Sequence, residues 1–174
     1  MNKFFSSPQK FAEHLLKAAT AEINAIKNGL DKVAEVVEKE AKNEIGHLQK
    51  AKGPFPAWEE LADATKADKE RLGYVYNRDY NPLFRTGELR ASIQSEVNMA
   101  ELYAIVGSKS PIAAFQEFGT SRIPPRPYIG PAFYKNRALI AKIFGKAVLV
   151  GIAGGHTISM DIGKELGYHQ DIKL

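Results

Sequence analysis

Residues 116–133 read QEFGTSRIPPRPYIGPAF, and their order dictates how the chain turns at this point. Gly119 follows Phe118 and can take the left-handed conformation that stops a helix. Pro124, Pro125 and Pro127 fix φ and remove three backbone donors, so the loop between them is extended and cannot be interior sheet. Pro131 stands after Gly130, where the first turn of a helix tolerates proline. The stretch therefore predicts the end of a short helix, a stiff loop and the start of a long helix.

Working outward, residues 110–118 read as the short helix, with Ser110 as its N-cap and Pro111 in its first turn. Upstream of it, residues 89–98 partly alternate, with Leu89, Ala91, Ile93 and Val97 on one face. Residues 102–107, LYAIVG, are β-branched and aromatic, and the short 99–101 connection makes the pair an antiparallel hairpin. One face of such a hairpin is apolar and needs helices over it. Downstream, residues 131–152 carry Ala132, Phe133, Leu139, Ile140, Ile143, Phe144, Ala147 and Val148 on the apolar side of a helix that ends among Gly151, Gly154 and Gly155. A weak strand is expected at 157–160. The predicted class is α+β: a small antiparallel sheet packed with a long N-terminal helix and a second helix after the proline loop.

The N-terminal helix is read over residues 8–50, with Ser7 as cap, Pro8 in the first turn, and Gly53-Pro54 as the stop. Phe11, Leu15, Ala19, Ile23, Ile26, Leu30, Val33, Val37, Ala41, Ile45 and Leu48 are separated only by threes and fours, so one apolar stripe runs its length. At about 1.5 Å per residue the helix spans roughly 60 Å, more than a domain of this size can cover. Two outcomes are expected: a break near Asn28-Gly29, or an exposed apolar portion that meets another subunit through Ile23, Ile26, Leu30 and Val33. Residues 56–72 read as a short amphipathic helix with Trp58, Leu61, Ala62 and Leu72 available for burial. The division expected is 1–53 for the long helix, 54–155 for the α+β core, and 156–174 for a C-terminal extension.

Composition narrows the chemistry. A chain of 174 residues, 44% hydrophobic and 25% charged, is long enough for one real core. It lacks cysteine, which excludes disulfides, thiolate nucleophiles and zinc–thiolate sites. No apolar run is long enough for a membrane span, and the N-terminus lacks the apolar run of a secretory signal. His14, His47, His156 and His169 have no metal-ligand spacing. The GIAGG at 151–155 follows a helix and lacks the lysine-serine ending of a phosphate loop. Glu117 has no second acid beside it, and a pairing with Arg122 or Arg126 is the expected role. No strand-serine-helix elbow is present. The residues point to no enzyme, no cofactor and no metal. Net charge is +4, and between Glu117 and Asp161 there is no acid, only Arg122, Arg126, Lys135, Arg137, Lys142 and Lys146. These six are expected to decorate a solvated face. The sharper alternative is a non-specific nucleic-acid-binding surface, in which Lys135, Arg137, Lys142 and Lys146 face DNA or an acidic partner.

Two blocks resemble one known family. Residues 56–93 resemble a signature of virion morphogenesis and tail-completion proteins of Mu-like and lambda-like bacteriophages, matching at Trp58, Leu61, Thr65, Lys69, Thr86, Gly87, Leu89, Arg90, Ser92 and Ile93. Residues 103–133 are similar to a second block of the same group, "EFGT" followed by "PPRPF" and a "PA" helix start. The matches are Pro111, Ala113, Glu117, Phe118, Gly119, Thr120, Pro124, Pro125, Arg126, Pro127, Tyr128, Pro131 and Ala132. Together they cover 69 of the 174 residues. Ile112 departs from the family's tyrosine.

The resemblance implies a non-catalytic structural protein of the phage neck or tail. It would form a homo-oligomeric ring, with six and twelve subunits both open, between the connector and the tail-tube or tail-terminator proteins. DNA would lie nearby without being read, no membrane would be involved, and the chain would sit in the host cytoplasm before assembly into the virion. On this reading the assembly contact is the exposed loop of Thr120, Arg122, Pro124, Pro125, Arg126, Pro127 and Tyr128. Arg122 and Arg126 would be its anchors, and Phe118 and Tyr128 would lock its two ends onto the body.

Overall fold

A computed structural model describes residues 6–152. The chain divides into two compact units, one of Leu30–Ala141 and one of Met1–Gly29 with Lys142–Leu174. The expected strand at 157–160 and the extension at 156–174 lie outside the described residues.

Helix α1 runs from Pro8 to Glu44 without a break. Of the two expected outcomes, the break in the helix near Gly29 does not occur. Gly29 is buried, and its Cα faces Ile143, Phe144 and Ala147 at ordinary contact distances, 3.6–3.7 Å from where a Cβ would stand. Packing on a neighbouring helix outweighs the ~1 kcal/mol propensity cost of one glycine. The helix also stops six residues earlier than its apolar stripe predicts. Gly46 takes φ +101° and donates its amide to the Pro82 carbonyl at 2.9 Å, while the Gln49 side chain caps the Glu44 carbonyl at 2.8 Å. The stop signal was Gly46, hidden because Leu48 prolongs the periodicity by chance.

In the Leu30–Ala141 unit, a turn at 52–55 is closed by reciprocal bonds between Lys52 and Phe55. Helix α2, Asp63–Arg71, is half the length expected from 56–72. Residues 56–62 stay outside any helix or strand, Trp58 is buried there, and Leu72 remains 38% exposed rather than in the core. Gly87 at φ +89° leads into a single turn, α3, Glu88–Ala91, where the first strand was expected to begin.

Strands β1, Ile93–Asn98, and β2, Tyr103–Ser108, form the predicted antiparallel hairpin, in a register that pairs Ile93 with Ser108 and Asn98 with Tyr103. The Asn98 side chain closes the connection by accepting the amides of Ala100 and Glu101, each at 2.9 Å. Ile93, Ser95, Val97, Ala104 and Val106 share the inner face, and Gln94, Glu96, Tyr103 and Ile105 the outer, exposed one. Period-two alternation thus decides which side is covered.

Helix α4 spans Pro111–Phe118, and α5 spans Ile129–Ile152. Val33, Ala34 and Val37 of α1, Ala104 and Val106 of β2, and Ile129 and Phe133 of α5 line one apolar cleft of about 440 Å³. The sheet is therefore covered by the two helices expected over it. The class is α+β.

Candidate functional site

The candidate site is the loop between α4 and α5. It is built by backbone stapling. The Glu117 carboxylate, on the last turn of α4, accepts the amides of Tyr128 at 2.8 Å, Ile129 at 3.1 Å and Gly130 at 3.0 Å. These are among the amides that the start of α5 leaves without helical partners, and the positive end of the helix dipole lies there. Glu117 therefore holds backbone amides rather than the expected Arg122 or Arg126. It caps a helix eleven residues further along the chain.

Each glycine in the stretch has a steric reason. Gly119 takes φ +74°, and a Cβ there would lie 2.8 Å from the Pro125 nitrogen and 2.9 Å from the Ile123 oxygen. A Cβ on Gly130 would lie 2.7 Å from the Phe55 ring. Between them Thr120 organises the tip. Its amide reaches the Ile123 carbonyl at 2.9 Å, and its hydroxyl accepts the amides of Arg122 and Ile123.

The second half of the loop is internal: this matches the lock expected of Tyr128 and contradicts the exposed anchor expected of Arg126. The Arg126 amide bonds the Gln116 carbonyl at 2.7 Å. Its guanidinium is buried and donates to the carbonyls of Glu59 at 3.0 Å and Glu60 at 3.2 Å. Burial lowers its pKa, with nearby Glu59 opposing. Trp58 donates its indole N–H to the Pro127 carbonyl at 3.0 Å. Tyr128 is fully buried, and burial pushes its phenol up to about 12. Arg126 and Pro127 thus tie the loop to the 56–62 segment, and with the buried Tyr128 they are not an exposed contact. The exposed tip is Thr120, Ser121, Arg122 and Pro125, with Ile123 and Pro124 half-buried.

Phe118 is also corrected. It is 80% exposed and locks nothing. Helix α4 turns Ala113 and Glu117 inward, which leaves Ile112, Phe115 and Phe118, three residues apart, on its outer side. Phe115 is 53% exposed. No sequence signal separated this stripe from a core stripe, because helical spacing is the same for both.

The basic segment is less free than its acid-free sequence implies. Lys135 pairs with Glu40 and lies 4.0 Å from Glu44, both from α1. That pairing raises the Lys135 pKa, Glu40 contributing most, while burial raises that of Glu44. Arg137 stacks 4.0 Å over the Tyr134 ring and donates to the Tyr134 carbonyl. Lys142 and Lys146 lie in the other unit. Counting acids along the segment missed partners that lie 95 residues away.

Ile23 of the proposed inter-subunit set is 44% exposed and Ile26 half-buried, but Leu30 and Val33 are buried in the Leu30–Ala141 core. Those two are corrected to core residues. Lys69 was not anticipated as a structural residue. It is buried and donates to the carbonyls of Asn81 at 2.9 Å and Phe84 at 2.7 Å, holding a loop in which Tyr80, Asn81 and Leu83 all have positive φ.

Among the described residues, no group of three or more His, Cys, Asp or Glu side chains could hold a metal ion, and no helix is long and apolar enough to cross a membrane. Comparison with family models, curated proteins and solved structures finds no match to this chain.

Proposed function

We propose that this chain is a structural protein of a long-tailed bacteriophage neck or tail, a tail-completion or head–tail joining component that acts through ring assembly with connector and tail-tube or tail-terminator partners. One observation carries the reading. The two sequence blocks that resemble such proteins, 56–93 and 103–133, bond to each other through the residues that match. Trp58 of the first block holds Pro127 of the second, and Arg126 of the second holds the backbone beside Trp58. The result is a rigid platform that presents the Thr120–Pro125 tip beside the exposed outer side of α4. Pre-stiffened loops and exposed aromatic side chains suit protein–protein contact. Neither offers a bond-breaking constellation.

The experiment is genetic and structural. Phage lacking the gene should accumulate filled heads and free tails, and the protein supplied in trans should restore joined particles and co-sediment with them. Normal particles without the gene would overturn the proposal.

A further inference from the structure

The N-terminal part of α1, in the Met1–Gly29 unit, carries an apolar seam on its outer side. Ala12, Leu16, Ala19, Ile23 and Ile26 follow steps of four and three, and the buried Leu30, next in the spacing, ends the seam. That is the spacing of a two-helix coiled-coil seam. Leu16 is 70% exposed, Ala12 and Ala19 are exposed, and Ile26 is half-buried. The half-buried Ala18, Ala21 and Ala25 lie on another side of the same segment, the side on which Gly29 meets Ile143 and Ala147 of α5. The seam is therefore not the face that α5 uses.

Charge selects the occupant. With Leu16 and Ile23 at the first core position of successive heptads, the half-buried Glu22 and Lys27 fall on the two flanks of the seam, five residues apart. In a parallel pair of identical helices, a residue on the Glu22 flank faces the one five positions on in its partner. Glu22 of each copy then meets Lys27 of the other, twice. An antiparallel pair sets the matching flanks against each other, which loses this cross-pairing. β-branched Ile23 at a first core position also favours two strands in a parallel pair. We infer that residues 12–27 pair in parallel and in register with the same residues of a second copy of this chain. The inference does not rest on the neck assignment.

The cysteine-free sequence makes the test clean. Ile23→Cys places a single thiol in each chain. In the inferred pair the two thiols face each other, so mild oxidation by diamide should give a disulfide-linked dimer on a non-reducing gel. Lys17→Cys, on the outer side of the seam, should not cross-link. Sedimentation of the full chain should show self-association that Leu16→Glu weakens while circular dichroism is unchanged. Glu22→Lys and Lys27→Glu should each weaken association about ten-fold, and the double exchange should restore it.

A full chain monomeric at micromolar concentration with no Ile23→Cys cross-link would overturn the pairing, as would failure of the double exchange to restore it. A lone cross-link at Lys17→Cys would place the interface elsewhere and overturn it too. A monomer that still enters particles refutes this pairing and leaves the neck reading, and a dimer absent from particles does the reverse.

Discussion

The Glu117 carboxylate lies 3.0 Å from the amide of Gly130, so the end of one helix caps the start of the next across a proline loop. The same carboxylate holds Tyr128 and Ile129. Removing its charge while keeping its shape separates electrostatics from packing. Glu117→Gln should lower stability by about 1–2 kcal/mol and Glu117→Ala by about 2–3 kcal/mol, because three amides at a helix start lose a charged acceptor. Urea denaturation measures both. Equal stability of all three proteins would mean that water replaces the carboxylate without cost.

Arg126 gives the sharpest reversal of the sequence reading. An exposed anchor could be truncated without loss, but this guanidinium is buried and satisfies two carbonyls. Arg126→Ala should destabilise the fold by about 2–4 kcal/mol. Arg122→Ala, at the exposed tip, should change it by less than about 0.5 kcal/mol. Paired thermal melts decide the matter, and an unaltered melt for Arg126→Ala would remove the staple from the account.

Tyr128 supplies a pH dependence with a definite sign. Its phenol is neutral and buried in the fold, with a pKa raised to about 12 from an ordinary 10.0. Between those values the unfolded chain releases a proton that the folded one keeps. Stability must therefore fall as pH rises from 10 toward 12, by about 2–3 kcal/mol. The buried hydroxyl has no hydrogen-bond partner among the described residues. Tyr128→Phe should then be close to neutral at pH 7 and should remove this share of the alkaline loss. Denaturation curves at pH 7, 10 and 11 compare the two proteins, and an identical alkaline slope in both would refute the assignment.

What was legible in the sequence follows from the range over which each signal acts. The hairpin, α4 and α5 were readable because alternation, Ser110-Pro111 and Gly130-Pro131 are local. Glu117 was singled out but misassigned, because its partners are backbone amides and a sequence displays only side chains. Arg126 was placed outside because charge alone says exposed, and only the carbonyls of Glu59 and Glu60 explain its burial. The pairing of Lys135 was invisible because its acids come from α1. Leu30 and Ile23 lie on one stripe with one chemistry, yet Leu30 is buried and Ile23 exposed. Periodicity defines a face but does not say where its cover ends.

Phe118 tests whether the outer side of α4 is a contact surface. At 80% exposure its ring contributes little to the core. Phe118→Ala should leave the melt within about 0.5 kcal/mol of the parent, where a buried phenylalanine would cost about 3–5 kcal/mol. The effect should appear in assembly instead. Three apolar side chains on one exposed helix side, Ile112, Phe115 and Phe118, favour the partner that covers them. In a complementation assay, Phe115→Ala with Phe118→Ala should yield folded protein but fewer joined particles, with unjoined heads and tails accumulating. Phe118→Ser should behave like Phe118→Ala, since loss of apolar area and not a change of fold is the cause. Full particle yield from the double variant would locate the assembly contact away from α4, and a large drop in melting temperature would show that this ring is packed after all.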